Sequence, residues 1–544
     1  MEPIKSEIDF AKRRFLIVDD FDGFRTHLRN MTASLGVKAV DLAKDGKEAI
    51  KLVEENQYDI ILLDFNLGHG KNGQQLLEEI RHRKLIKSHA LIAMITGEMD
   101  KDMVLTTLEH QPDLYLAKPI SLVLLKNRLE RASKQKSAMA PIEEAINMGL
   151  IDEAIENCDE LIQKRSRYAK ECIRIKANLL KELDRYDEAL AIYESALQQH
   201  RSDWALLGKG KVLIETNKMN DAIAVLNELI KSNPLNLEAY DVLAQAHLAK
   251  GDIPEAQLSL EKAVNIAPKS LLRQKFFADV CQENEEYEKA EVAYLKTIRL
   301  ARNSIHFGAD NTLNLAKCFV KHASVEEEAT GKSLANKALE TLEMTRKEFK
   351  DSNVETAASL IEARVHRQMG NTEKATSALI RATGGKEANV KTMTPNMALE
   401  FADTHIELEE DEKAQKILSQ LADQYSDDEK ICDKIDKRLD NPITGFGVEK
   451  AKEFTSKGIE RYKQQDFLGA IDEFKIALKH FPRHIGLKLN IIQAYISVLP
   501  DFPEFAEDCE KHVNSLKKLS QGSEQYKRYQ NLIQKFKEAQ KGKS

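Results

Sequence analysis

The sequence predicts an α/β doubly wound five-stranded parallel sheet followed by an all-α superhelix of repeats. Three observations carry this reading. Turn-forming residues are scarce: 23 Gly and 12 Pro in 544 residues are about 6% of the chain, against roughly 12% in average usage. Five strand-sized apolar runs alternate with amphipathic stretches before residue 134. Beyond that point the strand signal stops and a 34-residue period takes over.

The scarcity excludes collagen, Pro/Gly-rich disorder and a large all-β sandwich, each of which needs frequent turns. The charge balance excludes more. With 81 Lys+Arg, 88 Asp+Glu and a net charge of −7, the chain lacks the basic character of a dedicated nucleic-acid binder. A hydrophobic content of 42% suffices for packed cores. No apolar stretch approaches the ~18 residues of a membrane span, and the N-terminal residues contain no apolar signal core. Six cysteines (Cys158, Cys172, Cys281, Cys318, Cys432, Cys509) lie far apart without CxxC or CxxH spacing. That pattern fits reduced core residues of a cytoplasmic protein.

Taken in order, the apolar runs are Arg14–Val18, Lys38–Leu42, Asp59–Leu63, Leu91–Ile95 and Leu114–Ala117. Their length and composition read as strands. Lys47–Glu55 and Gln74–Arg83 carry helical spacing between them. Strands that alternate with helices form parallel sheets with helices on both faces. Ligands of such sheets sit outside the carboxyl ends of the strands. Those ends bring Asp19 and Asp20 after the first strand, Asp64 after the third, Thr96 beside the small Gly97 at the fourth, and Lys118 at the fifth. Carboxylates forced together repel one another, and a hard divalent cation such as Mg²⁺ relieves that repulsion. A carboxylate nucleophile can accept a phosphoryl group, whose oxygens a cation, a lysine and a hydroxyl can stabilise.

This ordered set, over residues 13–134, resembles the receiver domain of two-component response regulators. The resemblance implies a flavodoxin-like fold with strand order 2-1-3-4-5. It implies that a histidine kinase or phosphotransfer protein phosphorylates Asp64. It implies that Asp20, Asp64 and the backbone carbonyl of Asn66 bind Mg²⁺, with Asp19 helping through water. Thr96 and Lys118 would contact the phosphoryl group, the Lys118–Pro119 peptide would be cis, and Tyr115 would be the aromatic switch that turns inward with Thr96. One loop departs from the family's pattern. Proline commonly stands four residues after the phosphoacceptor and glycine eight after; here Gly68 stands at the first place and Gly73 nine residues on, so the loop has an extra residue.

The second half repeats. Ala222, Ala256 and Ala290 are spaced by 34 residues; Leu226, Leu260 and Tyr294 each follow by four, and Pro234 and Pro268 follow the first two by twelve. A small residue lets two helices approach, a large one a turn later fills the groove, and proline ends the helix. This is the tetratricopeptide (TPR) pattern. Ala154 and Ala189 extend the phase upstream, and Ala335, Ala375 and Ala414 extend it downstream. Ala470, Phe474, Ala477 and Pro482 form one more unit, with Phe454 and Gly458 on its first helix. Gly149, Gly251 and Gly370 each precede a phased alanine by five residues. The segment Asp440–Gly447 breaks the pattern, and Tyr526, Tyr529, Ile533 and Phe536 mark a terminal helix that covers the last apolar edge.

These observations divide the chain into a receiver over 10–134, a TPR-like array over 135–440, and a final unit with its capping helix over 441–544. No P-loop, zinc signature, Ser-His-Asp set or separate DNA-reading domain accompanies them. The expected function is that of a response regulator whose output is protein binding by the array. It would not be an enzyme beyond its own phosphoryl acceptance and slow autodephosphorylation. Expected partners are the phosphodonor protein and a protein held by the array, with no nucleic acid; a homodimer through the receiver is also open. In that reading the face built by the fourth helix, fifth strand and fifth helix changes on phosphorylation, and a short linker, Ser133–Ala140, joins the two parts. Two other readings stand beside it: a phosphoryl sink tethered by its repeats, and a constitutive TPR scaffold whose receiver is little used.

Overall fold

The computed structural model describes residues 8–87, 89–97, 112–384, 390–517, 519 and 521–541. The chain forms two compact units, Met1–Cys318 and Phe319–Ser544.

The first unit opens with the sheet. Its strands are β1 (Arg14–Val18), β2 (Ala39–Ala43), β3 (Ile60–Asp64), β4 (Leu91–Thr96) and β5 (Leu114–Ala117). They pair in parallel in the order β2-β1-β3-β4-β5. β2 and β3 each begin one residue later than the apolar runs suggest. Alternate side chains feed two cores, as the pleat requires. Phe15, Ile17, Ile60 and Leu62 face one layer with Leu28 of α1 (Asp22–Ser34) and Leu125 and Leu129 of the helix Leu122–Asn147. Leu16, Val18, Ile61 and Leu63 face the other with Val53 of α2 (Gly46–Glu55) and Leu76 and Ile80 of α3 (Gly73–His82). Burial on both faces explains why the strands read as unbroken apolar runs. The Asp45 carboxylate caps α2 by accepting from the Glu48 N–H, and Asn72 and Gln75 form a reciprocal capping box on α3. The region between Gly97 and Pro112, where the fourth receiver helix is expected, lies outside the described residues.

The helix Leu122–Asn147 runs without a break through Ser133–Ala140, the stretch read as a linker. Its first half belongs to the sheet's core and its second half, through Met139, Ile142 and Ala145, to the first repeats. Lys136 stands at the seam, 3.4 Å from Asp113 and 3.3 Å from Glu143.

The phased alanines are the close-approach points of the helix pairs. Ala154, Ala189, Ala222, Ala256 and Ala290 are all fully buried, as are Leu226, Leu260 and Tyr294. Small residues opposite accommodate the large ones: a Cβ added at Gly208 would lie 2.3 Å from the Tyr193 ring. The turn before each phased alanine is the same throughout this unit. Gly149, Asp184, Asn217, Gly251 and Glu285 each stand five residues before one, and all have positive φ. At Gly251 the next N–H closes the turn, Asp252 donating to the His247 carbonyl; Lys218 and Glu286 do likewise to Leu213 and Cys281.

The second unit repeats the device. Gly370, Glu409 and Gln465 hold the left-handed position five residues before the buried Ala375, Ala414 and Ala470. The long interval between Ala414 and Ala470 contains the short helix Glu429–Asp436 and the helix Gly445–Lys463. The break between them is shorter than Asp440–Gly447, because Gly445 already opens the next helix under a Thr444 cap. The buried Asp436 carboxylate accepts from the Ile443 and Thr444 N–H groups and so fixes this turn. In the terminal helix Glu524–Lys541, Tyr529, Leu532 and Phe536 are buried against the core that includes Leu487, Ile491 and Tyr495. The Tyr529 hydroxyl donates to the Val513 carbonyl at 2.9 Å.

All six cysteines are buried, and none is in a disulfide. Among the described residues, no helix is long and apolar enough to cross a membrane.

Candidate functional site at the carboxyl edge of the sheet

Strand register builds the site. Val18 pairs with Leu63, so Asp19 and Asp64 occupy the next rung on neighbouring strands. Asp64 in turn pairs with Ile95, and Thr96 pairs with Ala117, one residue before Lys118. The Lys118 N–H donates to the Thr96 carbonyl at 2.8 Å, and the Lys118–Pro119 peptide is cis.

Three carboxylates meet here. Oxygens of Asp19, Asp20 and Asp64 all lie within 4.8 Å of one another. Asp19 and Asp64 are buried, while Asp20 is exposed. The Lys118 ammonium sits between the two buried acids, 2.9 Å from Asp19 Oδ2 and 3.1 Å from Asp64 Oδ2. The same ammonium lies 4.0 Å from the centre of the Phe24 ring, a cation–π contact that the strand-end pattern did not suggest. The Phe21 N–H donates to Asp19 Oδ1 at 2.9 Å.

Burial pushes the Asp64 carboxyl up to about 6, and the nearby Asp19 charge adds to the effect; Lys118 opposes both. One ammonium therefore does not neutralise the acid set. That residual repulsion, and the all-oxygen donor set, fit a hard divalent cation.

Asp19, Asp20, Asp64, Asn66, Thr96 and Lys118 stand at or just beyond the strand ends, while Tyr115 lies two residues inside β5. Asn66 begins the loop after β3, and its side chain accepts from the Gly68 N–H at 3.3 Å. Gly68 has positive φ and lies beside Asp20: an added Cβ would stand 3.1 Å from Asp20 Oδ2. Thr96 ends β4. Tyr115 is half-buried against the β1–β3–β4 core, and its buried hydroxyl has no hydrogen-bond partner among the described residues. Burial raises its phenol well above the ordinary value.

The loop after Asp64 shows why it carries Gly73. A Cβ there would lie 2.1 Å from the Asp64 carbonyl oxygen. The Gly73 N–H donates to the Phe65 carbonyl at 2.8 Å, closing the loop on the strand it left. Beyond it, Gln75 and Glu78 of α3 reach residues more than 200 positions away. Gln75 Nε2 donates to the Arg302 carbonyl at 3.1 Å, and Glu78 Oε1 lies 2.7 Å from His306 Nε2. Nothing in the sequence signals this proximity, because no local pattern encodes so distant a pairing.

Residues 15–130 match the family model of the response regulator receiver domain, and 180–246 and 237–270 match models of the tetratricopeptide repeat. The chemotaxis protein CheY-3 of Vibrio cholerae is 30% identical over 118 residues, which are 22% of this chain and 89% of that protein. The chain belongs to the response regulator receiver family. Chemotaxis protein CheY of Pseudomonas aeruginosa is 29% identical over 118 residues, 22% of this chain and 94% of that protein. The C-terminal part of a TPR repeat-containing protein from Cytophaga hutchinsonii is 18% identical, covering 46% of this chain and 97% of that one, with a TM-score of 0.37. The receiver thus accounts for the N-terminal sheet, and TPR repeats for helices that follow it.

Proposed function

We propose that the chain is the response regulator of a two-component phosphorelay, in which Asp64 accepts a phosphoryl group and the TPR array carries the signal by binding another protein. The observation that carries this reading is the Lys118 ammonium held between Asp19 and Asp64 at the carboxyl edge of the sheet.

The chemistry follows from the residues. An ionised Asp64 oxygen attacks the phosphorus of a phosphohistidine or a small phosphodonor. The new P–O bond forms as the donor's bond breaks, and the donor leaves with that electron pair. With its carboxyl near 6, Asp64 is mostly ionised at neutral pH and ready to attack. Lys118, already within reach, follows the charge from carboxylate to phosphoryl oxygen. Thr96 offers its hydroxyl from the neighbouring strand end. Asp19, Asp20, Asp64 and the Asn66 carbonyl would hold Mg²⁺, which supplies positive charge to the transferring group. Phosphorylation adds about −1.5 to −2 charge. Thr96 and Tyr115 respond to that charge as the switch pair.

The donor in this reading is a histidine kinase or phosphotransfer protein, and the chain acts in the cytoplasm without catalysing turnover of a separate substrate. Its parts are the receiver (10–134), the array (135–440) and the final unit with its cap (441–544). Receiver pairing into a homodimer belongs to the same reading.

The test is direct. The full chain is incubated with acetyl phosphate and Mg²⁺ and weighed by intact mass. A gain of one phosphoryl group, lost in Asp64→Asn and without Mg²⁺, is expected. Labelling that survives Asp64→Asn overturns the assignment.

A further inference from the structure

The loop between the helices Tyr287–Ala301 and Ala309–Ala323 belongs to the repeat array, yet it lies against the receiver. Three polar contacts join them. Asn303 Nδ2 donates to the Gly70 carbonyl at 3.3 Å, Gln75 Nε2 donates to the Arg302 carbonyl at 3.1 Å, and His306 Nε2 lies 2.7 Å from Glu78 Oε1. We propose that residues 302–306 form an intramolecular clasp on the loop that follows Asp64, and that phosphoryl occupancy of Asp64 loosens this clasp. The proposal rests on Asp64 as phosphoacceptor and adds the route by which the array senses it.

The contacts fall on the segment that packs back against Asp64. Gly70 and Gln75 flank Gly73, whose backbone rests on the Asp64 carbonyl. Gln75 uses its amide at both ends: Oε1 accepts from the Asn72 N–H inside the capping box, while Nε2 holds Arg302. Gly68, at the other end of the same loop, lies beside Asp20 and bonds to the Asn66 side chain. A ligand that repositions residues 66–68 therefore pulls on a segment anchored at 73 and clasped at 70 and 75.

The clasp is also built to release. Two of its three polar contacts, at Asn303 and Gln75, are exposed, and a cleft of about 430 Å³ opens between Gly70, Asn303 and the start of α2. Exposed polar contacts such as these contribute little each, and the part-buried His306–Glu78 contact adds the larger share. A modest change at Asp64 can thus tip their sum. Linkage makes the effect reciprocal: if occupancy weakens the clasp, weakening the clasp strengthens occupancy.

The experiment uses the full chain, the double variant Asn303→Ala/His306→Ala and the single variant Asn303→Asp, which sets a negative charge beside the Gly70 carbonyl. Hydrogen exchange is followed by mass spectrometry in peptides covering 66–78 and 300–308. Without ligand, both variants should exchange faster than the native chain in 66–78; unchanged exchange there overturns the clasp. Beryllofluoride with Mg²⁺ is then added as a phosphoryl probe. It should raise exchange in 300–308 of the native chain, and the double variant should bind the probe tighter by about five-fold. Probe binding that leaves 300–308 unchanged, with equal affinity in the variant, overturns the link to Asp64. Failure of the native chain to bind the probe at all overturns the phosphoacceptor reading and the link together, while the ligand-free comparison still decides the clasp.

Discussion

Gly73 lies so close to Asp64 that a single methyl group on it would stand 2.1 Å from the Asp64 carbonyl oxygen and 2.9 Å from the Phe65 Cα. Both neighbours are backbone atoms and neither can rotate away. Gly73→Ala should therefore destabilise the receiver by about 2–4 kcal/mol. Thermal melting with a receiver-specific probe checks this. Acetyl phosphate labelling of Asp64 should fall with it, because the clash displaces the nucleophile's own backbone.

Asp64 sets a pH dependence of stability. Its carboxyl sits near 6 in the fold against an ordinary 3.8, so between these values the folded state holds more protons than the unfolded chain. Stability must fall as pH rises through that window. At neutral pH the buried ionised group costs on the order of 2 kcal/mol. Asp64→Asn should stabilise the fold at pH 7 and lose that advantage below about pH 4. Denaturant titrations at the two pH values decide it; an equal difference at both would contradict the burial argument. Added Mg²⁺ should shrink the gap at pH 7 by stabilising the native chain alone.

Among the described residues, Lys118 sets its ammonium between the two buried acids. Lys118→Met keeps much of the packing over Phe24 but leaves Asp19 and Asp64 facing each other. The Asp64 carboxyl should then titrate higher than in the native chain, since the strongest influence opposing its rise is gone and only the Phe65 backbone bond remains. Carbon-13 NMR of the aspartate carboxyls reads this directly. A downward movement would show that another group governs the site.

The repeat turns offer a backbone test in the second unit. Gly370 is left-handed and a Cβ there would meet nothing within 4 Å. Gly370→Ala should cost about 1 kcal/mol from backbone strain alone. Gln465→Gly, at the matching turn, should gain about 0.5–1 kcal/mol by removing strain that glutamine bears at φ +62°. Denaturant midpoints of the two variants should move in opposite directions.

The sheet and its acid edge were legible in the sequence because their signals are local. Each strand is a continuous apolar run, and each site residue stands at a strand end, so register alone brings Asp19, Asp64, Thr96 and Lys118 together. The repeats were legible through Ala222, Ala256 and Ala290 for the same reason. The left-handed turn was legible only where glycine fills it. Asp184, Asn217, Glu285, Glu409 and Gln465 adopt the same backbone, but their side chains do not announce it, since the surrounding helices impose the conformation. Ser133–Ala140 is helix rather than the expected linker: the buried Leu125, Leu129, Ala132 and Met139 keep one helical face across it. The meeting of Gln75 and Glu78 with the 302–306 loop depends on the summed geometry of the intervening helices, which no single window encodes.

The uninterrupted helix Leu122–Asn147 makes the receiver and the first repeats share one axle. At 1.5 Å per residue its 26 residues span ~39 Å. A tilt of about 5° at the sheet end would sweep the far end through roughly 3 Å, about half of one helical turn. A flexible tether would dissipate such a tilt as slack. Here it arrives as displacement of Met139, Ile142 and Ala145 within the first repeat core, so small angular adjustments around Asp64 have leverage on the array from its first helix onward.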